Sequence, residues 1–231
     1  REELLKDAYT SPELSIAESL TGLDSERAWQ IREELLKDAD FFIKQFIAES
    51  LTGLDSERAW QIREELLKDA DDDLKSSIAQ SLTGLNSERA WQMREELLEG
   101  ANDKLKRPIA ESLTGLDSEQ AWKMREELLK DPGFTYQVAL SLTGLDSEQA
   151  WKMREELLKG PGFTYQVALS LAGLSSERAW EMRKRLREAG VDKGFIALSI
   201  NGDLNTAIAW HRRMGLLPYQ IQELIGQEDK V

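Results

Sequence analysis

The alternation of apolar and polar positions predicts pairs of helices along the chain. Within residues 16–40, a short first segment carries Ile16, Ala17 and Leu20 at helical spacing. It stops at Gly22, a residue suited to the left-handed turn that closes a helix. In the longer second segment, the apolar side chains fall within one arc at about 100° per residue, and the charged side chains lie mostly outside it. The arc contains Ala28, Trp29, Ile31, Leu35, Leu36 and Ala39.

This helix pair recurs along the whole chain, and a tryptophan marks each copy. Segment Ile16–Asp40 returns unchanged as Ile47–Asp71, and Ser112–Leu142 returns as Ser141–Leu171 with a single substitution. Spacings of 31, 31, 31, 29, 29 and 30 residues separate Trp29, Trp60, Trp91, Trp122, Trp151, Trp180 and Trp210. A fixed period in this range is typical of helical arrays. We expect the repeats to begin near Ser15, Phe46, Ser77, Pro108, Gln137, Gln166 and Phe195.

One position before each second helix varies in identity but keeps its chemistry. A side-chain oxygen at the start of a helix accepts a hydrogen bond from an otherwise unpaired backbone N–H. The copies place suitable residues there, namely Asp24, Asp55, Asn86, Asp117, Asp146, Ser175 and Asn205. We therefore predict that these residues cap the second helices.

Together these patterns predict an all-α fold, an α-solenoid of about seven two-helix repeats of 29–31 residues. Residues 1–14 are interpreted as the end of a truncated repeat and a connector, because Arg1–Ala8 matches Arg32–Ala39. The chain is therefore expected to be part of a longer array. Residues 15–194 hold six tandem repeats, and residues 195–231 form a divergent C-terminal repeat that we interpret as a cap.

In its construction the array resembles the HEAT, armadillo and tetratricopeptide solenoids. The capped second helix with an internal arginine, such as Arg32, is similar to the HEAT pattern in particular. The resemblance covers nearly the whole chain, is architectural and does not extend to shared motifs. It implies a stacked array of helix pairs and assigns a functional role to none of the residues.

An arginine and a tryptophan recur at fixed places on the second helix. The arginine falls near the middle of the apolar arc, where burying an unpaired guanidinium would cost several kcal/mol. We expect it to pair with carbonyls that end the first helix or with the acidic cap of an adjacent repeat, and the tryptophan to fill the groove between repeats. The alternative is recognition, with arginines binding phosphates or carboxylates and tryptophans stacking on a ligand. This structural ladder comprises Arg32, Arg63, Arg94, Arg125, Arg154, Arg183, Trp29, Trp60, Trp91, Trp122, Trp151 and Trp180.

The connectors between repeats vary in charge, aromaticity and length. Exposed positions such as Glu33 and Glu34 hardly change before the last copies, so change concentrated in the connectors favours a presented surface. Neutral drift of exposed loops is the alternative. Aromatic side chains in connectors need cover from a partner or from a neighbouring repeat. The candidate partner-binding residues are Phe41, Phe42, Lys44, Gln45, Lys75, Lys104, Lys106, Arg107, Phe134, Tyr136, Phe163 and Tyr165.

Charge and composition narrow the choice of partner. The chain has 43 acidic and 30 basic residues, a formal charge of −13, so its surface repels phosphate backbones and anionic membranes. The absence of cysteine excludes disulfides and thiolate metal sites and fits a reducing compartment. No apolar run reaches the length of a membrane-spanning helix, and no secretory leader opens the sequence. A soluble, cytoplasmic protein is expected.

The sequence favours binding over catalysis. His211 is the sole histidine and has no second metal ligand nearby, and no phosphate-binding glycine loop or nucleophile motif occurs. Near-identical repeats also lack the unique convergence of groups that an active site needs. We predict a non-enzymatic scaffold for a protein or peptide partner, without metal or cofactor, with self-association left open. The alternatives are a modular nucleic-acid-binding array with specificity in the connectors, and a designed consensus repeat protein without natural function.

Overall fold

The computed structural model describes residues 12–160 and 162–192 together with residues 196 and 199. Within these residues the chain forms twelve α-helices and one 3-10 turn, at Pro132–Phe134, and no strand, which confirms the all-α solenoid prediction. The α-helices are α1 (Pro12–Ser19), α2 (Glu26–Lys37), α3 (Phe41–Ser50), α4 (Glu57–Leu67), α5 (Asp72–Ser81), α6 (Glu88–Leu98), α7 (Asp103–Ser112), α8 (Glu119–Leu128), α9 (Thr135–Ser141), α10 (Glu148–Leu157), α11 (Thr164–Ser170) and α12 (Glu177–Glu188).

Several sequence predictions lie outside the described residues. They include the last repeat start at Phe195, the cap residue Asn205, Trp210 and His211. Most of the predicted C-terminal cap falls there as well. Among the helices that are described, none combines the length and apolar character needed to cross a bilayer.

Consecutive helices pair into repeats, α1 with α2, α3 with α4, α5 with α6, α9 with α10 and α11 with α12. Backbone contacts divide the chain into two compact blocks, one up to Leu116 and one from Asp117 onward. In the first block, the first helices α1, α3, α5 and α7 each pack against the next, and in the second block α9 packs against α11. Within each block these first helices approach one another most closely, whereas successive second helices are more widely spaced. Grooves between second helices follow from this spacing.

Small side chains allow the first helices to approach closely. Ala48 and Ser50 of α3 are fully buried, and Ala79 and Ser81 of α5 are buried at the matching positions. The Ser50 hydroxyl donates to the carbonyl of Ile47 at 2.7 Å, so the buried hydroxyl is hydrogen-bonded within its own helix. Close packing of this kind leaves no room for larger residues at these positions.

The N-cap residue of each second helix lies one position later than predicted, and it makes the side-chain capping bond in five of the six helices, the exception being Ser87 of α6. Ser56 Oγ accepts a hydrogen bond from the backbone N–H of Ala59 at 3.4 Å, whereas Asp55 is engaged elsewhere. The prediction that the aspartate caps the helix is therefore wrong. The sequence could not separate the two residues, since serine and aspartate are equally good caps. The capping serines are Ser25, Ser56, Ser118, Ser147 and Ser176.

The variable connectors are largely helical. Asp40 accepts a hydrogen bond from the backbone N–H of Ile43 at 2.9 Å and caps α3, which therefore starts at Phe41 and not near Phe46 as predicted. The sequence reasoning placed the start too late because it aligned only the constant part of the repeat. In the fifth repeat, the 3-10 turn at Pro132–Phe134 replaces the first turn of the longer first helices, which accounts for the shorter spacing.

The turn within each repeat gives a testable consequence. Gly84 has a φ of +79°, and a Cβ built there would meet no atom within 4 Å, so the backbone conformation alone requires glycine. We expect Gly84→Ala to lower the free energy of unfolding by about 1–2 kcal/mol, because a Cβ is strained in the left-handed region. Urea denaturation followed by circular dichroism measures this. Thr83→Ala should cost less, since alanine stands at the matching position 172. Equal losses would contradict the turn geometry.

Candidate protein-interaction surface

A buried arginine on each second helix joins two consecutive repeats. Arg63 Nη1 donates to the carbonyl of Leu54 at 2.9 Å, and its Nη2 donates to the carbonyl of Leu51 at 2.8 Å, both in the turn of its own repeat. Its Nε donates to Ser81 Oγ at 2.9 Å, and Nη2 also donates to the Ser81 carbonyl at 3.1 Å. Ser81 ends the first helix of the next repeat. One guanidinium therefore ties together the turn of one repeat and the helix end of the next.

The same arrangement recurs along the described chain. Arg32, Arg94 and Arg154 make the same four hydrogen bonds in their repeats. All six arginines are 0% exposed. Burial lowers the pKa of five of them to about 10, which leaves the guanidinium protonated at neutral pH. These five are Arg63, Arg94, Arg125, Arg154 and Arg183.

Each tryptophan lies beside that arginine. The guanidinium carbon of Arg63 is 4.6 Å from the centroid of the Trp60 ring, and across the six described repeats this distance is 4.4–4.7 Å. A cation over an aromatic face is stabilised by the ring quadrupole, most strongly where water is excluded. Trp60 Nε1 donates to Asp55 Oδ1 at 2.8 Å, so the indole N–H is also satisfied within the repeat.

The aspartate before the second helix connects neighbouring second helices. Asp55 Oδ1 also accepts a hydrogen bond from Ser87 Oγ of the next repeat at 3.0 Å. In the same way, Asp117 Oδ1 accepts a hydrogen bond from Ser147 Oγ at 3.0 Å. Sequence reasoning missed this link because the donor lies about one repeat away along the chain.

The candidate partner-binding residues all lie at or near the N-terminal ends of first helices. They differ in exposure, which the sequence pattern did not show. The exposed members are Phe41, Lys104, Arg107, Tyr136 and Tyr165. The partly buried members are Phe42, Lys44, Gln45, Lys75, Lys106 and Phe163. Phe134 is buried.

Phe134 belongs to the core of its repeat and not to the exposed surface. It is 5% exposed and stands four residues before the buried Val138. Leu74 has the same offset from the buried Ile78 and is 4% exposed. The phenylalanine therefore fills the place that leucine fills in the longer repeats. Its four-residue spacing from Val138 was the signal that could have identified it.

The exposed aromatic residues occupy corresponding places. Tyr136 and Tyr165 are each the second residue of a first helix, in consecutive repeats of the second block. Phe41 is the first residue of α3 and packs edge-to-face against Phe42, with ring centroids 5.6 Å apart. Lys104 forms an ion pair with Asp73 of the preceding repeat. In each block, taken by itself, such side chains thus lie at the N-terminal ends of first helices.

The described part of the chain offers no arrangement of three or more Asp, Glu or His side chains that could hold a metal ion. Neither a model of a known protein family nor any curated protein matches this chain. Its class is therefore given by the fold, which is that of an all-α helical-repeat protein.

The buried arginine can be tested at Arg94, which lies within the first block. We expect Arg94→Met to lower the free energy of unfolding by about 3 kcal/mol, because it removes the donor to the carbonyls of Leu85 and Ser112 and one of the two donors to the Leu82 carbonyl. Arg94→Lys should recover part of that loss, since an ammonium group cannot reach all of these acceptors at once. Urea denaturation and amide hydrogen exchange in α6 and α7 measure the effect.

Arg107→Met is the matched control, because Arg107 is exposed on the neighbouring helix α7. Its effect should stay within about 0.5 kcal/mol. A protein that tolerated Arg94→Met as well as Arg107→Met would contradict a structural role for Arg94.

Proposed function

We propose that this chain is a non-enzymatic scaffold that binds a protein or peptide along the N-terminal ends of its first helices. The observation that carries the proposal is the exposure of aromatic side chains there. Phe41, Tyr136 and Tyr165 are 37%, 45% and 40% exposed. Tyrosine, with tryptophan and arginine, is enriched among the residues that dominate the free energy of protein association, and phenylalanine is enriched at interfaces in general.

The distribution of sequence change supports the same surface. The residues that join repeats, such as Arg63, Trp60 and Ser81, recur in every described repeat. The first turn of the first helix changes in charge and aromaticity from copy to copy. A scaffold needs a constant interior and a variable contact surface, and the helix ends supply the variable part.

A protein partner fits the charge of the chain better than a nucleic acid does. The formal charge is −13, and phosphate binding needs a basic stripe. The regular row of arginines cannot supply one, because these side chains are fully buried and bonded to carbonyls. The absence of cysteine supports a reducing compartment such as the cytoplasm.

Replacing the exposed aromatic residues tests the proposal. The variant Phe41→Gln, Tyr136→Gln and Tyr165→Gln should lose affinity for proteins captured from the source cells, by about thirtyfold for each residue that contributes about 2 kcal/mol. The helical circular dichroism signal should be retained, since these side chains are exposed. The control variant Gln61→Ala and Gln92→Ala changes exposed residues of second helices and should keep the same partners.

If both variants captured the same set of proteins, neutral drift and not partner binding would explain the sequence variation at the helix ends. The parallel measurement is binding to mixed single-stranded and double-stranded nucleic acids at low salt, where electrostatic binding is strongest. We expect weak or no binding. Tight, salt-sensitive binding would contradict the choice of a protein partner.

A further inference from the structure

A second, partly exposed arginine on the second helix contacts the preceding repeat. The guanidinium carbon of Arg89 lies 5.8 Å from the centroid of the Trp60 ring. Its nitrogens donate to Glu57 at 2.6 and 3.3 Å and to Glu64 at 3.1 Å. Glu57 stands three residues before Trp60 on α4, and Glu64 stands four residues after it. The tryptophan and the two carboxylates together form one guanidinium-binding site.

The arrangement recurs where the matching residue is arginine. In the second block, the Arg178 guanidinium lies 5.2 Å from the centroid of the Trp151 ring and donates to Glu148 at 2.6 Å. In the first block, Arg58 donates to Glu26 at 2.8 Å. The contact with the first carboxylate thus recurs for three arginines and the ring contact for two, while only Arg89 also binds the second carboxylate; in each case the next repeat supplies the cation.

One such site in the second block has no arginine. On α10 the matching residue is Gln149, and together with Glu119, Trp122 and Glu126 it lines a groove of about 610 Å³. The corresponding groove that contains Arg89 is about 360 Å³. Glutamine is shorter than arginine and carries no charge, so the larger groove fits the loss of a guanidinium at this place.

The groups that would receive a guanidinium remain accessible. Trp122 is partly buried, whereas Trp60 and Trp151 are 3% and 2% exposed. Among the described residues, Glu126 has no ion-pair partner and Glu119 pairs with Lys123 of its own helix at 2.6 Å. The indole N–H of Trp122 is already bonded to Asp117 at 3.0 Å, so the ring face and the carboxylates are the groups left to bind a ligand.

We propose that Glu119, Trp122 and Glu126, hereafter the Trp122 site, bind an arginine side chain of a partner polypeptide. This inference rests on the protein-binding function proposed above and gives the partner its chemistry, a basic segment with an accessible arginine. Arginine is preferred over lysine because its planar fork can contact two carboxylates while it stacks on a ring. A second copy of the chain is a poor occupant, since it carries the same charge of −13.

The test is a titration of the ¹⁵N-labelled chain with N-acetyl-arginine amide, followed through the indole N–H signals. N-acetyl-lysine amide at equal ionic strength is the control ligand. The Trp122 signal should shift with arginine, with at least tenfold weaker binding of lysine, while the Trp60 and Trp151 signals stay in place. The proposal is overturned if the Trp122 indole N–H signal does not shift on addition of N-acetyl-arginine amide, or if it shifts equally with N-acetyl-lysine amide.

Two variants reproduce residues that the other repeats already carry, so we expect both to fold. Gln149→Arg supplies the arginine within the chain and should weaken ligand binding at Trp122 at least tenfold. Arg178→Gln should open a second, weaker site, with a ligand-dependent shift of the Trp151 signal, because Glu148 becomes free whereas Arg185 still binds Glu155 at 2.6 Å. Binding that is unchanged in Gln149→Arg would overturn the proposal.

Two further outcomes separate the possible failures. If the Trp122 signal moved with protein concentration alone, a second copy would be the occupant, and a partner arginine would be rejected. A chain that captures proteins from cells but ignores arginine at Trp122 would refute this site and leave the scaffold function standing. A chain that binds arginine at Trp122 but captures no protein would refute the scaffold function.

Discussion

The need to satisfy a buried guanidinium constrains almost every constant feature of the repeat. Arg63 has no exposed surface, and a buried charge is tolerated only when its donors are paired. Its acceptors are the carbonyls of the turn in one repeat and the serine that ends the first helix of the next. The tryptophan beside it adds a cation–π contact and excludes water. Turn, serine, tryptophan and arginine therefore have to be kept together.

The residues that make no contact with the buried guanidinium are the ones that are free to vary. The first turn of each first helix makes none of the guanidinium contacts, so its side chains can change between repeats without loss of the stack. Tyr136 and Tyr165 are presented there, whereas Phe134 remains in the core. The second-helix position of Arg89 and Arg178 is likewise free to vary. Glutamine stands there in α10, as Gln149, and Arg125 still makes its hydrogen bonds to Ser141.

Sequence periodicity was sufficient to predict the fold, because a tryptophan at a nearly fixed spacing marks one helix pair per copy. It was insufficient wherever contacts cross repeats. Asp55 was taken for a cap because aspartate and serine cap helices equally well and because its second partner, Ser87, lies in the next repeat. The relation between Arg89 and Trp60 spans 29 residues and emerges only when repeats are stacked. Phe134 was assigned to partner binding because its connector was not recognised as the start of a helix whose spacing places this side chain in the core.

The central claim is that six buried arginines hold consecutive repeats together, and exchange of their Nε–H protons with solvent tests it most directly. Each buried Nε–H donates to a serine hydroxyl at 2.9–3.0 Å, and exchange requires this bond to open. The account predicts six slowly exchanging Nε–H signals at neutral pH, well separated in rate from those of the exposed Arg58 and Arg178 and the partly exposed Arg89. Exchange of all arginine signals at one fast rate would contradict it.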